Sequence, residues 1–149
     1  MQAGWSYRCR MALNNRRLLR YLAHVLGRLL MGRSLRSAKA AGASFETSIA
    51  NYLADEIDDR IERRRLSGAF DRGDISGLRI NNKRLVVECK NYGGKLLTGQ
   101  WLNEAETERI NDGSIAGLVV AKRRGTANPA EQIVLMTMKD FAALINAAK

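Results

Sequence analysis

Asp74, in the phrase Gly73-Asp74-Ile75, and the pair Glu88 and Lys90, in Glu88-Cys89-Lys90, are the residues whose types and spacing suit chemistry best. Side chains of an extended chain alternate between faces, so Glu88 and Lys90 share one face while Val87 and Cys89 take the other. Antiparallel pairing through a turn at Asn81, Asn82 and Lys83 sets position 74 about opposite position 90, which brings Asp74 beside Glu88 and Lys90. Two carboxylates, the Cys89 backbone carbonyl and water make up the hard oxygen set that Mg²⁺ prefers, and Mn²⁺ is expected to substitute. Such a cation polarises a phosphoryl oxygen, offsets transition-state charge and lowers the pKa of a bound water. Lys90 would orient or deprotonate that water, or stabilise the pentacovalent phosphorus. The chemistry indicated is phosphodiester hydrolysis, which needs no histidine.

Histidine chemistry is nearly excluded, because His24 is the sole histidine and lies in a basic amphipathic segment. Cys9 and Cys89 make neither a disulfide framework nor a zinc cluster. Each candidate also has a plainer structural role. Asp74 can simply open a strand after a glycine turn. Glu88 closes the apolar run Leu85-Val86-Val87 and must find a partner, so an ion pair with Lys90 or Arg79 is the alternative to a cation. Glu46, near the start of a helix, suits the helix dipole as well as a metal. Trp101 suits a core anchor better than a stacking platform for DNA, and Lys122-Arg123-Arg124 is either a solvated loop or a phosphate contact.

The elements that position these residues follow from periodicity. Ser44 reads as an N-cap, with Phe45, Ile49, Tyr52, Leu53, Ile57 and Ile61 recurring at helical steps into the charged stretch 58–65. Short β-type runs follow at 66–70, 74–80 and 84–90. A second helix is predicted over 97–110, with Trp101, Leu102 and Ala105 inward and Glu104, Glu106 and Glu108 outward. Residues 115–121 form an apolar run suited to a strand buried on both faces, then a loop over 122–129, a strand over 132–138 and a helix over 139–148.

The chain has 149 residues, 25 Lys and Arg against 15 Asp and Glu, and a net charge of +10. Residues 1–40 hold nine basic side chains and no acid, leaving 16 basic and 15 acidic residues in the rest. The predicted organisation is therefore a basic amphipathic helical extension and linker over 1–43, with Leu18, Leu22, Val25, Leu26 and Leu29 at helical spacing, and a nearly neutral domain over 44–149. The stretch 32–44 reads as a linker or a loose helix end. No stretch reaches the roughly 18 apolar residues of a membrane span. The extension resembles an organelle transit peptide in composition and would also suit a membrane surface.

The Gly73-Asp74-Ile75 and Glu88-Cys89-Lys90 phrases, twelve residues apart and preceded by a helix bearing Phe45-Glu46, resemble the PD-(D/E)xK nuclease superfamily. Leu66-Ser67-Gly68 ahead of Asp74, and Glu88-Cys89-Lys90-Asn91 before a Trp-bearing helix, are most similar to small Holliday junction resolvases of archaea and phages. The resemblance spans residues 44–145 and implies an α/β fold with a restriction-endonuclease-like core, a mixed central sheet flanked by helices. It implies that Asp74 and Glu88 are metal ligands, that Lys90 is the catalytic lysine, and that Glu46 completes the metal site. Gly73 stands where the family motif has proline. The implied partners are branched DNA, chiefly a four-way junction, and a second copy of the chain, in a cytoplasm that is the host's if a phage encodes it. Expected DNA contacts are Arg33, Arg36 and Lys39 in the extension and its junction, Arg65, Ser67 and Arg72 ahead of Asp74, Tyr92 and Lys95 beyond Lys90, and Lys122, Arg123 and Arg124. Alternatives are a flap, single-strand or restriction-type nuclease of the same superfamily, or a non-catalytic DNA-binding module.

Overall fold

The computed structural model describes residues 34–65 and 71–149. The predicted leader helix, Cys9, His24 and Arg33, and the predicted strand over 66–70 with Ser67, lie outside the described residues. Contacts group the chain into Met1–Ala38 and Lys39–Lys149, and the sheet and the candidate site belong to the second unit.

Helix α1 (Leu35–Glu56) begins nine residues before the predicted cap, so residues 35–44 are helix rather than linker and Ser44 caps nothing. Ala38, Ala40, Ala41 and Ala43 are strong helix formers and tolerate Gly42 among them. Ser34 serves as the cap, its Oγ accepting from Ser37 N at 3.1 Å. Glu46 consequently sits in mid-helix, away from the dipole-favoured end. The helix stops at Glu56, because Asp58 folds the chain over: its Oδ1 accepts from Arg60 N at 3.0 Å and its carbonyl from Ile61 N at 2.9 Å. Ile57 is left exposed, and buried Ile61 leads into β1 (Glu62–Arg63), a stretch whose charges had suggested the helix's wet end.

The predicted hairpin forms, with a different register. Strands β2 (Ile75–Ser76) and β3 (Arg79–Ile80) both pair with β4 (Lys83–Lys90). The turn has two residues, Asn81 and Asn82, both at positive φ (45° and 65°), and Lys83 already belongs to the strand. Arg79 pairs with Arg84, yet Ile75 pairs with Val87, so three residues on one side face two on the other. This bulge centres on Gly77, where φ is +88° and any Cβ would lie 2.4 Å from the Arg60 carbonyl oxygen. The two-residue turn and the bulge contribute one position each, and together they set Asp74 level with Glu88, two positions from the predicted partner, Lys90.

Helix α2 (Thr98–Asp112) then crosses to β5 (Ala116–Ala121), which runs parallel to β4 from Leu85↔Ala116 to Lys90↔Ala121 and is buried throughout. A 3-10 turn at Pro129–Glu131 precedes β6 (Ile133–Leu135), antiparallel to β5, and α3 (Met138–Ala147) closes the chain. The last strand is shorter than predicted because Thr137 is the cap of α3, accepting from Asp140 N at 3.1 Å. The result is an α/β fold with a mixed sheet in the order β1-β2-β4-β5-β6, flanked by helices. One face packs Val87, Cys89, Leu118 and Val120 against Phe45 and Ile49 of α1 and Ala143 and Leu144 of α3. The other packs Val119 and Ala121 against Trp101 and Ala105 of α2. Alternation along β4 therefore turns Glu88 and Lys90 toward the α2 layer. No helix among the described residues is long and apolar enough to cross a membrane.

Candidate active site

Asp74 is fixed by its neighbours on both sides. Gly73 has φ of +81°, and a Cβ there would lie 2.9 Å from the Val87 carbonyl oxygen. Proline, confined to φ near −65°, is incompatible with this backbone, and glycine adopts it without strain. The tight approach lets Asp74 N donate to Val87 O at 2.9 Å, while Asp74 Oδ2 accepts from Cys89 N at 2.8 Å. Asp74 is thereby bonded to the same short piece of β4 that carries Glu88 and Lys90. Lys90 Nζ lies 2.6 Å from Glu88 Oε1 and 2.7 Å from Glu104 Oε2.

Glu104 reaches this cluster from the edge of α2. Trp101, Ala105 and Glu108 are the buried residues of that helix, and Glu104 lies beside their stripe, three positions beyond Trp101. Of the three acids predicted to face outward, Glu104 and Glu106 keep partly exposed side chains, Glu106 pairing with Arg109 at 2.6 Å and Lys139 at 2.7 Å, while Glu108 is buried. The signal was available in the sequence: positions 101, 105 and 108 fit a helical stripe, and a buried Trp on that stripe carries Glu108 inward with it.

Three carboxylates share a poorly hydrated space. Burial, then the charge of Glu88, pushes the Asp74 pKa up to about 7 against the pull of the Cys89 N–H. Burial, then Glu108, pushes Glu88 up to about 7, although Lys90 opposes the shift. Glu108 also rises to about 7, through burial and then Asp71. Burial works against the Lys90 ammonium, yet its bonds to Glu104 and Glu88 outweigh that and hold its pKa above the ordinary lysine value. The bond from Lys90 holds Glu104 below the usual carboxylate range, helped by Gln100 Nε2 at 2.8 Å. Burial raises the Cys89 thiol, leaving its sulfur a neutral core group.

The ion pair foreseen as the structural alternative for Glu88 does form with Lys90, while Arg79 bonds the Asn82 carbonyl instead. One ammonium does not neutralise Asp74, Glu88 and Glu108 together. Asp74 and Glu88 stand level on paired strands, and the charge of Glu88 raises the Asp74 pKa, an arrangement favoured by a shared proton or a cation between them. Among the described residues, no three His, Cys, Asp or Glu side chains converge to hold a metal by themselves. Two neighbouring carboxylates, Glu88 buried and Asp74 half-buried, fit a cation that keeps part of its water shell, which is the habit of Mg²⁺.

Glu46 stands apart from this cluster. Its Oε2 accepts from Arg63 Nε at 2.7 Å, and its charge is felt at Asp74 without a hydrogen bond to it. Of the expected DNA contacts, Arg36, Lys39, Arg65, Arg72, Tyr92, Lys95, Arg123 and Arg124 are exposed. Lys122 is partly buried: its Nζ bonds the Thr126 carbonyl and lies 5.8 Å from the Phe45 ring centre. Its backbone N donates to Lys90 O at 2.8 Å, so the basic loop leaves the sheet beside the site. Arg124 packs on Gly94, joining this loop to the one that carries Tyr92 and Lys95. Tyr92 itself rests on Trp101, with ring centres 5.3 Å apart. Trp101 is 1 % exposed and is a core anchor, not a stacking platform.

Compared with protein-family models, curated proteins and solved structures, the chain matches none.

Proposed function

We propose that the protein is a Mg²⁺-dependent, structure-selective DNA endonuclease, a Holliday junction resolvase with a restriction-endonuclease-like core that acts as a homodimer. One observation carries this reading: Asp74 is bonded to β4 level with Glu88, with Lys90 on the same face as Glu88 and an excess of buried negative charge among them. The mixed sheet, with an antiparallel hairpin followed by a helical crossover to a parallel strand, is compatible with that core.

In this mechanism Asp74 and Glu88 hold the cation, and Mn²⁺ substitutes for Mg²⁺. The bound cation supplies Lewis acidity toward the phosphoryl oxygen and the attacking water. Lys90, kept as an ammonium by Glu88 and Glu104, stabilises negative charge building on the phosphoryl oxygens; its raised pKa favours this role over that of a base. Glu104, the second partner of Lys90, would hold the ammonium in place with Glu88 engaged by a cation. Tyr92, Lys95, Arg123 and Arg124, exposed at the same end of the sheet, contact the DNA backbone, so selectivity is for shape rather than sequence. Two copies supply the two sites that symmetric cutting of a junction needs.

The test is a panel of four-way junction, fork, flap, single strand and duplex of one sequence, each with Mg²⁺, Mn²⁺ or chelator. The junction is expected to be cut fastest, and only with metal. Equal rates on junction and duplex would point to a generic nuclease of the same fold, and binding without cleavage to a non-catalytic module.

A further inference from the structure

Glu108 is a buried acid that the chemistry above does not use. It is 5 % exposed, and its Oε2 is buried with no hydrogen-bond partner among the described residues. Asp140, buried to a similar degree, shows what a structural acid looks like in this fold: one oxygen accepts from Gly117 N at 3.2 Å and the other from the Thr137 hydroxyl. A buried carboxylate oxygen left unpaired destabilises a fold by about 1–3 kcal/mol or more. Glu108 carries that burden on the buried stripe of α2, one helical turn from Glu104, which holds Lys90 beside Glu88.

We propose that Glu108 is a positioning residue of the cation site, its Oε2 accepting a hydrogen bond from water in the hydration shell of a divalent cation held by Asp74 and Glu88. The inference rests on the cation site proposed above and adds its outer layer. Contact through water, rather than direct ligation, agrees with the reluctance of Mg²⁺ to shed its waters. Carboxylates in this position order the shell and support metal affinity. On this view α2 lays two acids over the site, Glu104 for the amine and Glu108 for the hydrated cation.

The test uses the full chain at one fixed pH, with Mn²⁺ alone as the probe, binding followed by the free-ion electron paramagnetic resonance signal. Glu108→Gln keeps shape and removes charge. It should weaken Mn²⁺ binding about tenfold, leave the melting temperature in chelator equal to or above wild type, and leave junction binding in chelator unchanged. Unaltered Mn²⁺ affinity would overturn the inference. So would a lower melting temperature in chelator, or failure of E108Q to fold, since either would make Glu108 a structural acid. If wild type binds no Mn²⁺, the cation site itself fails and this inference with it, an outcome distinct from equal binding by wild type and E108Q.

Discussion

Removing divalent metal and raising the pH from 5 to 8 should destabilise this protein, the reverse of what surface ion pairs would do. Asp74, Glu88 and Glu108 each titrate near 7 in the folded chain against ordinary values near 4. A raised folded-state pKa means that the folded chain binds more protons than the unfolded one. The associated stability is complete below about pH 4 and is lost as pH rises through about 7. For Asp74 alone, a shift of about three units corresponds to roughly 4 kcal/mol. The three groups lie close together and titrate as a set, so the total is not three times that figure. A loss of this order lowers the melting temperature by about 10 °C in a domain of this size. Glu106, held near 2, completes its titration below the window and does not obscure the slope. Circular-dichroism melts in chelator from pH 4.5 to 8.5 measure the effect, and repeating them in Mg²⁺ should recover most of the loss at pH 8. A melting temperature that is flat or rises between pH 5 and 8 in chelator would refute the premise that buried, uncompensated carboxylates surround Lys90.

Three further outcomes follow from the geometry. Glu104→Gln removes one of two anchors of Lys90 and should lower the cleavage rate about tenfold, or roughly 1.4 kcal/mol, without altering junction affinity; loss of affinity instead would assign Glu104 to DNA binding. Gly73→Ala forces a side chain into a positive-φ position against Val87 and should destabilise the fold by about 1–3 kcal/mol in urea titrations, whereas a neutral result would mean that the backbone relaxes freely there. Replacing both Arg123 and Arg124 by Ala should weaken junction binding and reduce the slope of log affinity against log salt by about two, and an unchanged slope would remove the basic loop from the interface.

Much of the site was legible because strand alternation depends only on local sequence. Glu88 and Lys90 had to share a face, and Asn81-Asn82 had to turn the chain. The partner of Asp74 was not legible, since a turn of two residues rather than three and one extra residue at Gly77 each shift the register by one, and glycine is required there by the Arg60 carbonyl, contributed from the segment between α1 and β1. The helix over residues 35–44 was hidden by Gly42 and by small residues that suit either a linker or a helix; alanine propensity decided it. Glu108 of α2 was misplaced for another reason. Hydrophobic periodicity assigns charged residues to the wet face, and it fails where a carboxylate is buried among other charged groups. Glu108 breaks the pattern beside the candidate site.

The most direct measurement is single-turnover cleavage of a four-way junction by wild type, Asp74→Asn and Glu88→Gln, with junction binding measured in parallel. The two substitutions remove the charges that bind the cation while keeping side-chain shape. Loss of Mg²⁺-dependent cleavage in both variants, with junction binding retained, is the predicted result. Full activity in either variant would contradict it.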